Sequence, residues 1–207
     1  MNPTVSVIVC PQCGHPAPLN IRHCEYCEAE FFIPSLGYLS KFDKGGIDKY
    51  IQHFKSTLRQ NPGNAEAALS LGLCHLDLGL YDLAIKQIDK ALEEMPELAD
   101  IYYYSAVALF RGRKPRILSL PEVKKIESLL EAACQLDDSQ AKYYYLRALI
   151  KREYYLKNGM RIVGLGDGAL LTEAKVRTVD PADLTKLLQR VPADDSPILS
   201  AIRAVTA

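Results

Sequence analysis

Apolar side chains recur at helical spacing through most of the chain. Ile47, Tyr50, Ile51, Phe54 and Leu58 form one set, and Tyr81, Ala84, Ile85, Ile88, Leu92 and Met95 another. Intervals of three and four residues put each set on one face, so both stretches predict amphipathic helices. Residues 65 to 78 (AEAALSLGLCHLDL) lie between them and are apolar on most sides, as in a helix enclosed by neighbours. Asn64 offers that helix an N-cap and Gly79 a C-terminal stop, while Ala68 and Gly72 remove bulk where another helix must come close. The stretch Ala99 to Phe110 (ADIYYYSAVALF) continues the register. Its partner, marked by Ile126, Leu130 and Ala133, follows only after an eight-residue insertion within RGRKPRILSLPEVKK. A further helix opens at Ala141 and stops at Asn158-Gly159. Residues 160 to 171 (MRIVGLGDGALL) carry three glycines and predict a connector. Asp180-Pro181 then starts a helix bearing Leu184, Leu187, Leu188 and Val191. The first 33 residues differ from all of this: there only Val5, Val7 and Val9 alternate, which predicts a short strand.

Residues 45 to 62 overlay residues 79 to 96 without a gap, at an offset of 34. Gly45 falls on Gly79, Asp48 on Asp82, Ile51 on Ile85, Leu58 on Leu92 and Pro62 on Pro96. With Leu71-Gly72 opening one helix, Ala84 and Ile88 in the next and Pro96 closing it, the stretch resembles the tetratricopeptide repeat. His75 stands where that pattern has tyrosine and Ala68 where it has tryptophan. The resemblance implies a mainly α fold, an array of about three helical hairpins whose first helices line a concave groove for a protein partner. Helical spacing turns Leu69, Leu73 and Leu76, then Tyr103, Val107 and Phe110, then Tyr145, Leu149 and Arg152 toward that groove. Two outcomes are open for these side chains: an exposed apolar and aromatic groove, or a core covered by the N-terminal module, by FFIPSLGYLSKF (31 to 42) or by the C-terminal helices. Glu66, Leu69 and Leu73 occupy positions where family members that clamp a partner's C-terminal carboxylate carry lysines and asparagines, which argues against such a clamp.

Cysteine gives the first 33 residues their chemistry. Cys10 and Cys13 form one Cys-x-x-Cys pair and Cys24 and Cys27 another, with ten residues between the pairs. Each pair can point two sulfurs from one tight turn at a single ion, and two turns supply a closed tetrahedral site. Redox chemistry or disulfides are the other uses of such pairs. The start MNPTVSVIVC has no basic leader, which predicts a reducing, cytoplasmic setting where disulfides are disfavoured. A redox pair is expected at a helix start in a βαβ setting, and that pattern is missing here. Residues 5 to 33 resemble a short zinc ribbon, which implies structural Zn2+ on Cys10, Cys13, Cys24 and Cys27. Gly14 suits the first knuckle, whereas Glu28 stands at the glycine position of the second. His15 and His23 flank the pairs, but four thiolates already complete a closed site.

Composition narrows the functional classes. The 207 residues hold 25 Lys plus Arg against 25 Asp plus Glu, so no global field draws the chain to nucleic acid or anionic lipid. No run of about 18 apolar residues predicts a membrane span. The one dense basic patch is Arg111, Arg113, Lys114 and Arg116, which with a zinc ribbon makes nucleic-acid contact the runner-up to protein binding. The glycines at 164, 166 and 168 lack phosphate-loop spacing, and His53 and His75 are expected at polar positions on repeat helices. No acid and base pair is brought together by spacing, so no enzyme is predicted. The expected division is a zinc ribbon over 1–33, a linker over 34–44, helical repeats over 45–159 and a divergent helical cap over 160–207.

Overall fold

The computed structural model of the protein describes residues 7–18 and 21–206. Strand β1 (Val7–Val9) pairs antiparallel with β2 (Pro16–Pro18), Val7 opposite Pro18. The strand expected around Val5 to Val9 is therefore present from Val7, and Val5 lies outside the described residues. After a 3-10 turn, Gly37–Lys41, the chain is helical: α1 (Lys44–Gln60), α2 (Ala65–Asp77), α3 (Tyr81–Glu94), α4 (Ala99–Leu109), α5 (Leu120–Leu136), α6 (Ala141–Ile150), α7 (Asp167–Lys175), α8 (Pro181–Arg190) and α9 (Pro197–Thr206).

Local chemistry sets the helix ends. Asp43 accepts from the Gly46 amide at 2.8 Å and Asn64 from the Ala67 amide at 2.9 Å, each meeting an N–H that the helix itself leaves free. Ser119 and Glu122 form a reciprocal capping box at the start of α5, downstream of the insertion. Gly79 and Gly159 take left-handed φ of 72° and 67°, which only glycine adopts without a steric penalty, and so close α2 and the third opening helix. That third helix runs from α6 straight into a π-helical turn, Lys151–Leu156.

Packing follows the 34-residue pattern. α2 packs on α3, α4 on α5 and α6 on α7, while α1, α3 and α5 each meet the opening helix of the next hairpin. A Cβ at Gly72 would lie 2.7 Å from Ile88 Cγ1, so glycine is what lets α2 and α3 touch. One continuous apolar core links the array.

Two C-terminal features differ from expectation. α7 begins at Asp167, inside the segment expected to be a glycine-rich connector, because burial of Leu170 and Ala174 against α6 outweighs the weak propensity of Gly168. The C-terminal helices also do more than close an open end. α8 lies against α2, α4 and the 3-10 turn, and α9 lies against α8 and α6. Lys186 reaches the Asp77 carboxylate at 2.6 Å and Arg190 donates to the Asp77 carbonyl, which ties α8 to the end of α2.

Candidate metal centre and concave face

The two cysteine knuckles have the same backbone construction. In the first, the Cys10 amide donates to the His15 carbonyl at 2.9 Å and the Gly14 amide to the Cys10 carbonyl at 3.0 Å. In the second, the Cys24 amide donates to Ala29 and the Glu28 amide to Cys24, both at 2.8 Å. Gly14 and Glu28 hold equivalent places with φ of 77° and 58°, so the second knuckle forces a side-chain-bearing residue into the left-handed region.

These turns bring all four Sγ atoms within 4.8 Å of one another. Cys10 lies 3.6 Å from Cys27 and Cys13 lies 3.7 Å from Cys24, pairing the sulfurs across the knuckles. A disulfide would need about 2.05 Å. A tetrahedron with metal–sulfur bonds of about 2.3 Å has sulfur–sulfur edges of about 3.8 Å, so the cradle has the size of a four-thiolate metal site. Burial works to raise the Cys24 thiol, but the Tyr26 and Cys27 amides and the neighbouring thiols bring it down to about 7. Burial raises Cys27 to about 12, with the neighbouring sulfurs adding to the effect. A cation supplies what a crowded set of thiolates lacks. His15 stacks on Tyr26 at 5.3 Å and His23 bridges to Glu30 in backbone pairing, so neither enters the cluster.

The metal module is docked on the helices. Gln12 donates to the Gly46 carbonyl at 2.9 Å, and Lys49 donates back to the Gln12 carbonyl at 3.0 Å. Tyr38 hydroxyl accepts from the Glu30 amide at 2.8 Å, and Tyr50 hydroxyl donates to the Glu30 carbonyl at 2.9 Å.

The concave face is not an open groove. Leu69, Leu73, Leu76, Tyr103, Val107, Phe110, Tyr145 and Leu149 are all buried, with Phe110 fully enclosed. Arg152 stays half-buried and pairs with Asp167 at 3.4 Å. Of the two outcomes open for these side chains, the structure has the covered one: the first helices are covered by residues 33–41 and by α8 and α9. Leu69 borders a cleft of about 250 Å³ shared with Phe32, Pro34, Met95, Leu98 and Tyr104. His75 is likewise buried rather than at the surface, because every side of α2 meets a neighbour, and its Nδ1 has no hydrogen-bond partner among the described residues.

A polar network that the sequence reading missed lies under this cover. Lys142 Nζ sits 2.9 Å from Asp183 and 2.8 Å from Asp100, over the rings of Tyr103, Tyr104 and Tyr143 at 5.0, 5.0 and 5.7 Å. Burial disfavours the ammonium, and Asp183 and Asp100 outweigh it, so the Lys142 pKa is raised. Its residues come from α4, α6 and α8, and only the repeated YYY motifs hint at it.

The basic loop is largely neutralised within the chain. Arg111 pairs with Asp82 at 2.7 Å, Arg113 with Glu122 at 2.7 Å, and Lys114 with Asp194. Arg113 and the Ser119 amide hold the Glu122 carboxyl down at about 2, and Lys114 and Lys157 do the same for Asp194. Arg116 alone of the four has no acidic partner among the described residues. Three engaged cations remove most of the electrostatic footprint that nucleic-acid contact requires.

Residues 51–110, from α1 to the end of α4, match the family model described as tetratricopeptide repeat. That part of the helical array is therefore similar to tetratricopeptide repeats, and the array is joined to an N-terminal four-cysteine module. Among solved structures, the crystal structure of MamA is 23% identical, with 77% of each chain covered and a TM-score of 0.47. A thermophilic TPR protein in Thermus thermophilus is 24% identical, with 82% of this chain and 77% of that chain covered and a TM-score of 0.48. No curated protein matches the chain. No described helix is long and apolar enough to cross a membrane.

Proposed function

We propose that this chain is an adaptor or regulatory subunit that binds a protein partner through its repeat array, with Zn2+ as a structural ion in the N-terminal ribbon. The tetratricopeptide-repeat match carries the reading, since arrays of this family generally mediate protein–protein contact. Four thiolates leave no open coordination position, so the metal holds the ribbon together and activates no water. The proposed division keeps a ribbon over 1–33, a linker over 34–44, repeats over 45–159 and C-terminal helices over 160–207. A cytoplasmic location accords with four reduced cysteines holding a metal.

The cleft beside Leu69 lies between the covering segment and the array, and Leu98 stands 40% exposed at its rim. Affinity capture with the zinc-loaded chain should retain a protein partner identifiable by mass spectrometry, and Leu98→Glu, which leaves the core intact, should release it. Retention of the same partner by the variant would move the interface elsewhere. Capture of nucleic acid alone, in a salt-dependent manner, would replace the reading.

A further inference from the structure

The segment covering the concave face is held as a bound peptide is held. Ile33, Leu36 and Leu39 recur at every third residue and all three are buried. Three backbone amides of the segment are served by side chains of three different helices. The Ile33 amide donates to Ser70 Oγ of α2 at 3.0 Å, the Leu36 amide to the Tyr104 hydroxyl of α4 at 3.2 Å, and the Gly37 amide to Asp183 Oδ1 of α8 at 3.1 Å. The Leu39 and Phe42 amides are met inside the segment by the carbonyls of Leu36 and Leu39, whereas these three take their acceptors from the helices, as a ligand takes them from its receptor.

The receptor side is prepared for this. Asp183 is buried, and Lys142 balances its charge while the Tyr104 hydroxyl donates to it at 3.0 Å. That leaves fixed acceptors facing the segment. Gly37 fits because nothing larger can: a Cβ there would lie 2.5 Å from the Asp183 amide nitrogen and 2.8 Å from the Ala182 carbonyl carbon. The fit is also incomplete. The 250 Å³ cleft remains between Phe32 and Pro34 on the segment and Leu69, Met95 and Leu98 on the array.

We propose that residues 32–42 are a ligand in cis, and that the partner bound by the array presents a peptide of the same chemistry which displaces them. That peptide carries large aliphatic residues at three-residue intervals and a glycine directly after the second, where two consecutive N–H groups face Tyr104 and Asp183. The inference rests on the protein-binding reading above, and it makes that binding competitive with the chain's own segment.

The probe is a fluorescent peptide of residues 32–42, FIPSLGYLSKF, titrated into the full zinc-loaded chain. Gly37→Val in the chain sets a side chain against the α8 backbone and unseats the segment, so the variant should bind the probe at least tenfold more tightly than the unaltered chain. A probe carrying the same Gly37→Val change should not bind. Equal affinity of the two chains, or binding of the valine probe, overturns the proposal. Hydrogen exchange on the unaltered chain decides independently of how the variant folds. The Leu36 and Gly37 amides should exchange at least tenfold faster than the slowest α4 amides, by local opening; exchange only through global unfolding makes the segment core and overturns it. Partner capture by the unaltered chain does not depend on either result, so failure here leaves the broader reading standing.

Discussion

Among the described residues the N-terminal module buries Cys10, Ala17, Cys24, Ala29 and Phe31, two of them cysteines of the candidate metal site, whereas the array shares one core that runs from Ile33 to Ile202. Both are built from short elements, and both rely on turns with left-handed glycines. What differs is the source of cohesion. A module with two strands of three residues cannot remove enough apolar surface from water to offset the entropy of ordering its chain, so in the proposed reading its fold depends on a central ion. The array buries helix against helix at every hairpin and needs none. The two modules should therefore fail separately, under different insults.

Metal removal is the largest expected effect. A strong chelator should abolish ribbon structure, since structural zinc contributes on the order of 10 kcal/mol to small domains of this kind. The helical circular-dichroism signal should change little, while proteolysis should become rapid within residues 21–31. Concerted loss of the helices would mean that the contacts of Gln12, Lys49 and Tyr50 make the array depend on the ribbon, and the contrast would be gone. Phe110→Ala sharpens the same contrast from the other side. Removing a fully enclosed aromatic ring should lower array stability by about 3–5 kcal/mol in urea denaturation. Metal content should stay at one ion per chain, and an unchanged urea midpoint would contradict the enclosure of that ring.

Legibility in the sequence divides along a different line, between local and distant causes. Asn64, Gly79 and Asp180-Pro181 act on residues within one turn of themselves, and each does in the structure what its type predicts. The cysteine spacing was equally legible, since each knuckle closes within six residues. The content of the concave face was not. Gly37 meets Asp183 across 146 positions and Lys142 meets Asp183 across 41, and no local periodicity encodes either meeting. Leu69, Tyr103 and Tyr145 lie on α2, α4 and α6, but spacing names a face without naming what covers it. The ion pairs of the basic loop were hidden for the same reason, because Asp82 and Asp194 lie far along the chain. The start of α7 was hidden by composition, three glycines outweighing a burial pattern of only two residues.

The smallest effect tests the symmetry of the ribbon itself. Gly14 and Glu28 sit at the same place in the two knuckles, both left-handed, and a Cβ at Gly14 would meet nothing within 4 Å. Sterics with neighbours therefore play no part at Gly14, and the backbone conformation alone decides the cost of a side chain there. For an L-residue that cost is about 1–2 kcal/mol, offset by roughly 0.5–1 kcal/mol because glycine loses more freedom on folding. Glu28→Gly should accordingly tighten metal retention by a few-fold in a competition with a chromogenic chelator, and Gly14→Ala should weaken it by a similar factor. Opposite signs of similar size would show that the two knuckles are equivalent and that Glu28 carries uncompensated strain. If Glu28→Gly instead weakens retention, the Glu28 side chain contributes something its conformation does not reveal, such as charge balance toward the docked helices, and the two halves of the metal site are not interchangeable.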